Sequence, residues 1–204
     1  MKHILIFPGS QRHDSLNRKL AVWLAQHLIG NVSIDVLESN SVDFPLFNQD
    51  LENDPKIIQH IVPVYNRFNL ADAIVVVSPE YNGSVSPYVK NTVDWVSRLS
   101  RIEPNEYLNP FQEKPLMLAS ATAGASGGIL GLQAARQIFS YLGSVVLAEQ
   151  LCMPRAHLAW DEENNPSSTE FIEWADHAMN RLLTLMGLSG MPNETFELAL
   201  ASNF

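Results

Sequence analysis

The chain has 204 residues, 46% hydrophobic and 17% charged, a size and composition that predict one large domain able to bury its own core. Its formal net charge of −9 argues against nucleic acid or an anionic membrane as a partner. Cys152 is the single cysteine, which excludes an internal disulfide. Because we also find no signal peptide and no long apolar run, we expect a cytoplasmic protein without a membrane span.

Short apolar runs rich in Val, Ile and Leu alternate with segments of helical spacing. The runs are continuous, which is typical of strands covered on both faces in a parallel sheet. The predicted strands are residues 3–7, 32–37, 73–78, 116–121 and 145–148. This alternation predicts an α/β fold of three layers, with helices on both sides of one sheet.

Helices are indicated by apolar stripes and by start signals. The stripe of the first helix consists of Leu16, Leu20, Trp23, Leu24 and Leu28. Asp54 before Pro55 predicts an N-cap, and residues 167–170 match a capping box for a last helix that reaches about residue 187. We therefore expect one domain over residues 1–187 and a tail over residues 188–204. Residues 101–115 are polar with three prolines, and we expect a loop over the ligand end there.

Loop 1, residues 8–17, follows the first strand and suits a phosphate group. Ligands of open α/β sheets bind outside the carboxyl ends of the strands, and unpaired N–H groups at a helix start attract anions. Ser10, Ser15 and Asn17 add donors, and Arg12 adds a positive charge. The loop lacks the glycine patterns of dinucleotide folds and P-loops. The alternative is that Ser15 only caps the helix and Arg12 is a solvated surface residue.

Loop 2, residues 78–84, places turn-forming residues around Tyr81. Such a loop can direct backbone N–H groups at a flat polar ring while Tyr81 lies beside it. When the loop is taken alone, an ordinary Asn-Gly turn is the favoured interpretation. In the helix that follows, Trp95 and Val96 either face a partner subunit or lie in the core of the chain itself.

Loop 3, residues 120–128, is rich in small residues, which let a ligand or another backbone come close. It also contains the Gly-x-Ser-x-Gly pattern of serine hydrolases, with Ser126 at its centre. Ser126 lies several residues beyond the strand, and the later histidines are His157 and His177, so a hydrolase is a remote alternative. The scattered histidines and the single cysteine lead us to expect no metal site.

Taken together, the three loops resemble the NADPH-dependent FMN reductase family, which includes bacterial chromate and quinone reductases and related azoreductases. The resemblance covers about residues 1–155 and lies in GSQRHDSLNRKLA, SPEYNGSVSPYVKNTVDW and GASGGILGLQAARQ. It implies a flavodoxin-like fold, a five-stranded parallel sheet of order 2-1-3-4-5, and FMN at the switch point. The chain departs from the family at Ser86 and Pro87, where the family pattern looks like Pro-Gly.

The resemblance also implies which residues hold FMN. Those expected at the phosphate are Ser10, Arg12, Ser15, Leu16 through its backbone, and Asn17. Those expected along the isoalloxazine are Pro79, Glu80, Tyr81, Asn82 and Gly83. Those expected on the third side of the ring are Ser120, Ala121 and Gly124. Members of the family are usually dimers or tetramers, so a homodimer or homotetramer is expected, with Arg136 at a subunit contact.

The implied activity is that of an FMN-dependent NAD(P)H oxidoreductase with NADPH or NADH as co-substrate. Its electron acceptor would be a small molecule: a quinone, an azo compound, free flavin or an oxidised metal ion. Because the chemistry would take place at flavin N5, we expect no catalytic side chain. The alternatives are a flavodoxin-type electron carrier, an FMN-binding sensor without turnover and, remotely, the hydrolase at Ser126.

Overall fold

A five-stranded parallel sheet lies between two layers of helices in the computed structural model, which describes residues 1–28, 32–38 and 41–188. The strands of this sheet are β1 (Lys2–Pro8), β2 (Val32–Val36), β3 (Ala73–Val77), β6 (Pro115–Ala121) and β7 (Val145–Met153). A separate hairpin consists of β4 (Glu80–Tyr81) and β5 (Ser84–Val85). The helices are α1 (Leu16–His27), α2 (Pro55–Leu70), α3 (Pro87–Ile102), α4 (Ile129–Tyr141) and α5 (Thr169–Leu185).

The order of the sheet is β2-β1-β3-β6-β7. Without the hairpin strands, this is the predicted order 2-1-3-4-5, so the predicted flavodoxin-like α/β sandwich is confirmed. All four pairings are parallel. The order reverses beside β1, and the loops after β1 and β3 therefore begin next to each other at the switch point.

Both faces of the sheet are buried, which explains the continuous apolar runs. Ile4 and Ile6 of β1 pack in the layer of α1 and α5, whereas Leu5 and Phe7 pack in the layer of α2, α3 and α4. Because successive side chains of a strand point to opposite faces, a strand covered on both sides needs apolar residues at every position.

The core also settles the two alternatives for α3. Trp95 and Val96 are completely buried among the residues of their own chain. The indole N–H of Trp95 donates to the Pro45 carbonyl oxygen at 2.7 Å. Of the two interpretations, the chain's own core is therefore correct, and a partner subunit facing these side chains is wrong.

Helix starts follow the predicted signals with one exception. Asp54 caps α2 through the N–H of Lys56, and Pro55 occupies the first helical turn. The N-cap of α5 is Ser168, whose hydroxyl oxygen accepts the N–H of Phe171 at 3.2 Å. The capping box predicted from Ser167 is thus wrong by one residue.

Residues 101–115 lie at the other end of the molecule from the predicted ligand loops. α3 starts at the carboxyl end of the sheet and continues to Ile102, so the chain emerges at the amino end, before β6. Phe111 is fully buried there against Phe68 and Phe139, and its carbonyl oxygen accepts the hydroxyl of Ser144. The expectation of a loop over the ligand end is therefore wrong.

β7 is an outer strand with a bulge. Leu116 of β6 pairs with Val146, but Leu118 pairs with Gln150, so the register shifts between them. The guanidinium of Arg136 on α4 fills this bulge. It donates to three carbonyl oxygens, those of Val146, Leu147 and Ala148. β7 runs five residues beyond the predicted end at residue 148, because Gln150 to Met153 pair with β6 again after the bulge.

The predicted tail lies outside the described residues from residue 189 onward. In the part of the chain that the structure describes, no helix combines the length and apolar character of a membrane span.

Candidate functional site

The three predicted loops meet at the carboxyl ends of the three central strands. β1, β3 and β6 are neighbours in the sheet, and backbone hydrogen bonds join their ends. The N–H of Gly9 donates to the Val77 carbonyl at 2.8 Å, and the N–H of Ser78 donates to the Ala119 carbonyl at 2.9 Å. Loops 1, 2 and 3 therefore start side by side.

The start of α1 in loop 1 offers free backbone donors. Ser15 is the N-cap, and its hydroxyl oxygen accepts the N–H of Arg18 at 3.2 Å. The alternative in which Ser15 caps the helix thus describes its side chain correctly. Within the described chain, the N–H groups of Leu16 and Asn17 have no acceptor. A cap of this kind leaves two donors at the positive end of the helix dipole, an arrangement that suits an anion.

Two further side chains of loop 1 lie beside these donors. Ser10 is buried, and its hydroxyl oxygen accepts the N–H of Arg12 at 3.3 Å. Arg12 is exposed, and its guanidinium donates to the Asp14 carbonyl at 2.6 Å. Arg12 is thus held at the loop by one hydrogen bond while the rest of its guanidinium remains accessible.

The side chain of Asn17 points to loop 3. Its amide nitrogen donates to the Ala121 carbonyl at 2.8 Å, and its amide oxygen accepts the Ala121 N–H at 2.9 Å. Both residues are buried. The Asn17 side chain thus binds loop 3 through its amide oxygen and one of its two amide hydrogens. That Asn17 supplies a donor to a phosphate stays a prediction, and its backbone N–H and second amide hydrogen are the groups left for a ligand.

Loop 2 is a hairpin around an Asn-Gly turn. Asn82 and Gly83 have φ of 52° and 73°, the left-handed values that a two-residue turn of this type needs. Tyr81 beside the turn is 50% exposed. The hydroxyl of Ser78 donates to the Pro79 carbonyl at 3.0 Å, which fixes the entry to the hairpin. The Asn-Gly turn interpretation is therefore correct, and the turn leaves the aromatic ring of Tyr81 half exposed at the surface.

Glu80 connects this hairpin to α4. Its carboxylate accepts the N–H of Gly131, in the first turn of α4, at 3.0 Å. A Cβ at Gly131 would lie 3.1 Å from Glu80 Cα and from the Ser84 carbonyl oxygen, so the hairpin packs directly on the helix. The Glu80 carboxylate thus caps a helix, and only the remainder of the residue is left to line a ring.

Loop 3 begins with buried small residues. Ser120 is fully buried, and its hydroxyl has no hydrogen-bond partner among the residues that the structure describes. Gly128 lies against it with a φ of 90°, and a Cβ there would be 2.0 Å from Ser120 Oγ. Only glycine fits this position. Ala121, at the same strand end, is buried by its contact with Asn17.

The segment after β7 holds loop 3 from outside. The N–H of Thr122 donates to the Met153 carbonyl at 3.1 Å, and the N–H of Arg155 donates to the Gly124 carbonyl at 3.0 Å. Loop 3 is therefore a supported loop, with backbone partners on both sides.

Cys152 packs against loop 3, and its thiol is unreactive. A Cβ at Gly127 would lie 2.9 Å from Cys152 Cβ, so the two backbones pack closely. Burial, together with the negative charge of Glu80, raises the pKa of the Cys152 thiol. The thiol therefore stays protonated near neutral pH and is a poor nucleophile.

The Ser126 pattern lacks the geometry of a hydrolase. Ser126 Oγ accepts the N–H of Gly128 at 3.5 Å within its own turn. His177 stacks on Trp174 and lies 3.4 Å from a carboxylate oxygen of Glu149 on β7. Within the described residues, this arrangement supports no Ser-His pair.

One residue at the site was not among the predicted ones. Ser86 is the N-cap of α3, and its hydroxyl donates to the Gly9 carbonyl in loop 1 at 2.6 Å. The Ser-Pro sequence signals an N-cap, but no local pattern indicates a bond to a residue so distant in the chain.

The assembled loops fit a cofactor that has both a phosphate and a polar ring. Loop 1 offers two helix-terminal N–H groups and a guanidinium, and the unpaired buried hydroxyl of Ser120 lies at the end of β6, two strands away. These donors suit the phosphate and the carbonyl-rich ring of FMN.

Comparison with known proteins gives a consistent result. Residues 2–158 match the family model described as NADPH-dependent FMN reductase. A quinone reductase of Escherichia coli (strain K12) is 30% identical over 139 residues, which cover 68% of this chain and 70% of the relative. A quinone reductase of Pseudomonas putida (strain KT2440) is 31% identical over 159 residues, 76% of each chain.

A solved structure supports the fold. The flavoenzyme NAD(P)H:(acceptor) oxidoreductase FerB of Paracoccus denitrificans aligns with a TM-score of 0.75 at 21% identity, over 94% of this chain and all of the other. The family match spans most of the chain and includes loops 1, 2 and 3. This chain belongs to the NADPH-dependent FMN reductase family, whose enzyme class and cofactor agree with the predicted ones.

Proposed function

We propose that this protein holds FMN in loops 1, 2 and 3 and reduces quinones with electrons from NADPH or NADH. The observation that carries the proposal is the start of α1, where the N–H groups of Leu16 and Asn17 are free beside Ser10 and Arg12. The family match and the quinone reductases among the relatives support the activity.

When bound, FMN would supply the redox chemistry, accepting a hydride from the nicotinamide and passing two electrons to the acceptor. The task of the protein is then to bind and to orient. The N–H groups of Leu16 and Asn17 would donate to the phosphate, Ser10 would add a hydroxyl, and Arg12 would add a charge-assisted contact.

The ring would lie between loops 2 and 3. The backbone at Asn82 and Gly83 would direct N–H groups at its polar edge, because left-handed turn residues expose their amides. Tyr81 would cover it from the solvent side, and Pro79 with the backbone of Glu80 would complete this wall. Ser120, Ala121 and Gly124 would form the opposite wall, with the unpaired Ser120 hydroxyl as its donor.

We further propose that the protein assembles as a homodimer or homotetramer in the cytoplasm. Leu130 and Tyr141 on α4 are 57% and 82% exposed, and Tyr81 in the adjacent hairpin is half exposed. These residues are the candidate contact surface, which a subunit would cover if the exposed side chains form one patch. Light scattering of the purified protein measures the mass directly, and a monomer would contradict the assembly.

The activity is tested by the visible spectrum of the purified protein and by steady NADPH or NADH oxidation with benzoquinone. An azo dye, free FMN and chromate, assayed in parallel, rank the other proposed acceptors. Flavin absorption with turnover supports the proposal. Flavin absorption without turnover would favour an electron carrier or a sensor, and a protein that takes up no FMN would contradict the proposed cofactor site.

Arg12→Ala tests the phosphate contact. A charge-assisted bond of about 1.5–3 kcal/mol corresponds to roughly a tenfold to hundredfold rise in the FMN dissociation constant. Arg101→Ala is the matched control, since Arg101 is exposed at the far end of α3. Equal FMN affinity of the two variants would remove Arg12 from the site.

A further inference from the structure

The hydroxyl of Ser86 makes two hydrogen bonds in a buried position. Ser86 is 2% exposed, and its oxygen accepts the N–H of Val89 at 3.2 Å as the N-cap of α3. The same hydroxyl donates to the Gly9 carbonyl oxygen at 2.6 Å. One side chain therefore caps a helix and joins that helix to loop 1.

Gly9 is enclosed on several sides. Its N–H donates to the Val77 carbonyl at 2.8 Å. A Cβ at this position would be 2.4 Å from Val89 Cγ2 and 3.1 Å from Ser78 Cα, so the backbone packs against both α3 and loop 2. Because Gly9 directly precedes Ser10, its placement determines where loop 1 leaves the sheet.

Two other side chains complete the connections among the loops. Asn17 joins loop 1 to Ala121 in loop 3 by two hydrogen bonds. Glu80 joins loop 2 to the N–H of Gly131, which follows loop 3. Ser86, which follows loop 2, joins back to loop 1. The three side chains thus close a ring of hydrogen bonds around the site, and this ring holds the loops in place without a ligand.

We propose that Ser86 is a positioning residue that sets the affinity of loop 1 for the phosphate of FMN. The inference rests on the proposed FMN site. The bond from Ser86 to Gly9 acts on the phosphate end of the site, because Gly9 directly precedes Ser10 in loop 1.

The test compares Ser86→Ala with Ser168→Ala. Both substitutions remove a serine N-cap with an accepted N–H at 3.2 Å, but the bonds found for Ser168 do not include one to a ligand loop. Apoprotein of each variant is titrated with FMN and with riboflavin, which has the same ring but no phosphate. Catalytic rate is then measured with NADPH and benzoquinone at saturating FMN.

We expect Ser86→Ala to raise the FMN dissociation constant about tenfold, the equivalent of one lost hydrogen bond. Riboflavin affinity and the rate at saturating FMN should stay within about twofold of wild type, the spread expected of a change that leaves the ring contacts intact. Ser168→Ala should leave the affinity for both flavins unchanged. A role limited to helix stability would lower the affinity for both flavins alike.

The inference is overturned if Ser86→Ala binds FMN as wild type does, or if FMN and riboflavin weaken equally. Should Ser86→Ala fail to fold, Ser86→Gly keeps a tolerated N-cap and still removes the hydroxyl, with Ser168→Gly as its control. Wild-type protein that binds neither flavin would instead overturn the proposed function, and with it the role of Ser86.

Discussion

The side chain of Asn17 and the backbone of Ala121 form a pair of reciprocal hydrogen bonds of 2.8 and 2.9 Å between the start of α1 and the end of β6. The amide matches the donor and acceptor of one peptide unit, as a neighbouring strand would. Since both residues are buried, water cannot replace either bond. The pair therefore makes loop 1 and loop 3 a single unit.

Asn17→Ala should destabilise the fold by about 2–4 kcal/mol, because it leaves the N–H and the carbonyl of Ala121 unpaired in a buried position. Urea denaturation measures this loss. The exposed Asn105→Ala is the control and should change stability by less than about 0.5 kcal/mol. Asn17→Asp should weaken FMN binding more than Asn17→Ala, because it adds a negative charge beside the proposed phosphate. Equal urea midpoints for Asn17→Ala and Asn105→Ala would refute the pairing.

Gly128→Ala should destabilise the fold far more than Gly124→Ala does. At Gly128 the left-handed φ of 90° disfavours a side chain, and its Cβ would overlap Ser120 Oγ at 2.0 Å. The nearest atom to a Cβ at Gly124 is 3.9 Å away, an ordinary contact. We expect losses of more than about 2 kcal/mol for the first and less than about 0.5 kcal/mol for the second, from thermal unfolding. A Gly128→Ala protein with wild-type melting behaviour would contradict the described loop.

Arg136→Met should destabilise the chain by about 1–3 kcal/mol, because the carbonyls of the β7 bulge lose a charged donor. Arg136→Lys, with a single ammonium in place of the planar guanidinium, should recover only part of that loss. The exposed Arg181→Met is the control.

The resemblance placed Arg136 at a subunit contact, whereas the structure directs its guanidinium to its own chain. We therefore expect light scattering to give the same mass for Arg136→Met and wild type, and a lower mass would restore the contact role.

Lys114 should make stability depend on alkaline pH. Its ammonium donates to the carbonyls of Phe68 and Asn69 at 2.6 and 2.7 Å, and burial lowers its pKa to about 8. The unfolded chain, with a lysine pKa of about 10.4, binds more protons than the folded chain above pH 8, so stability rises with pH in that window.

The comparison of wild type with Lys114→Met isolates this contribution. Between about pH 7 and about pH 9.5, the free energy of unfolding of wild type should rise by on the order of 1 kcal/mol relative to that of the variant. This figure is reduced because Lys114 is partly exposed to solvent. Urea denaturation at the two pH values measures the difference. If the free energies of unfolding of the two proteins change equally with pH, burial of Lys114 does not govern its proton affinity.

Much of the fold follows from local patterns in the sequence. The continuous apolar run of Ala73 to Val77 predicts a strand that is covered on both faces of a sheet. In the structure, all of its side chains are buried, on alternating faces. Asp54 and Ser15 are strong N-cap residues, and both cap their helices. The strand order came from the family resemblance, since a periodic pattern does not say which strands are neighbours.

The parts that escaped prediction depend on contacts between distant segments. Phe111 lies in a polar stretch, and only its contacts with Phe68 and Phe139 explain why that stretch packs at the amino end of the sheet. Asn17 and Glu80 lie at the carboxyl end of the sheet, but the partners of their side chains depend on segments distant in the sequence. The choice of Ser168 over Ser167 as N-cap depends on backbone geometry that both serines allow.

The bulge in β7 has a consequence for how copies of this chain can meet. An outer strand normally presents a ladder of open backbone groups that a neighbouring molecule can extend, which is how edge-to-edge fibres grow. In β7 the irregular stretch breaks the straight ladder, and the carbonyls of Val146, Leu147 and Ala148 already have Arg136 as a donor. An incoming strand would have to displace a guanidinium to dock there. At this stretch, β7 is thereby protected against pairing with the edge strand of another molecule.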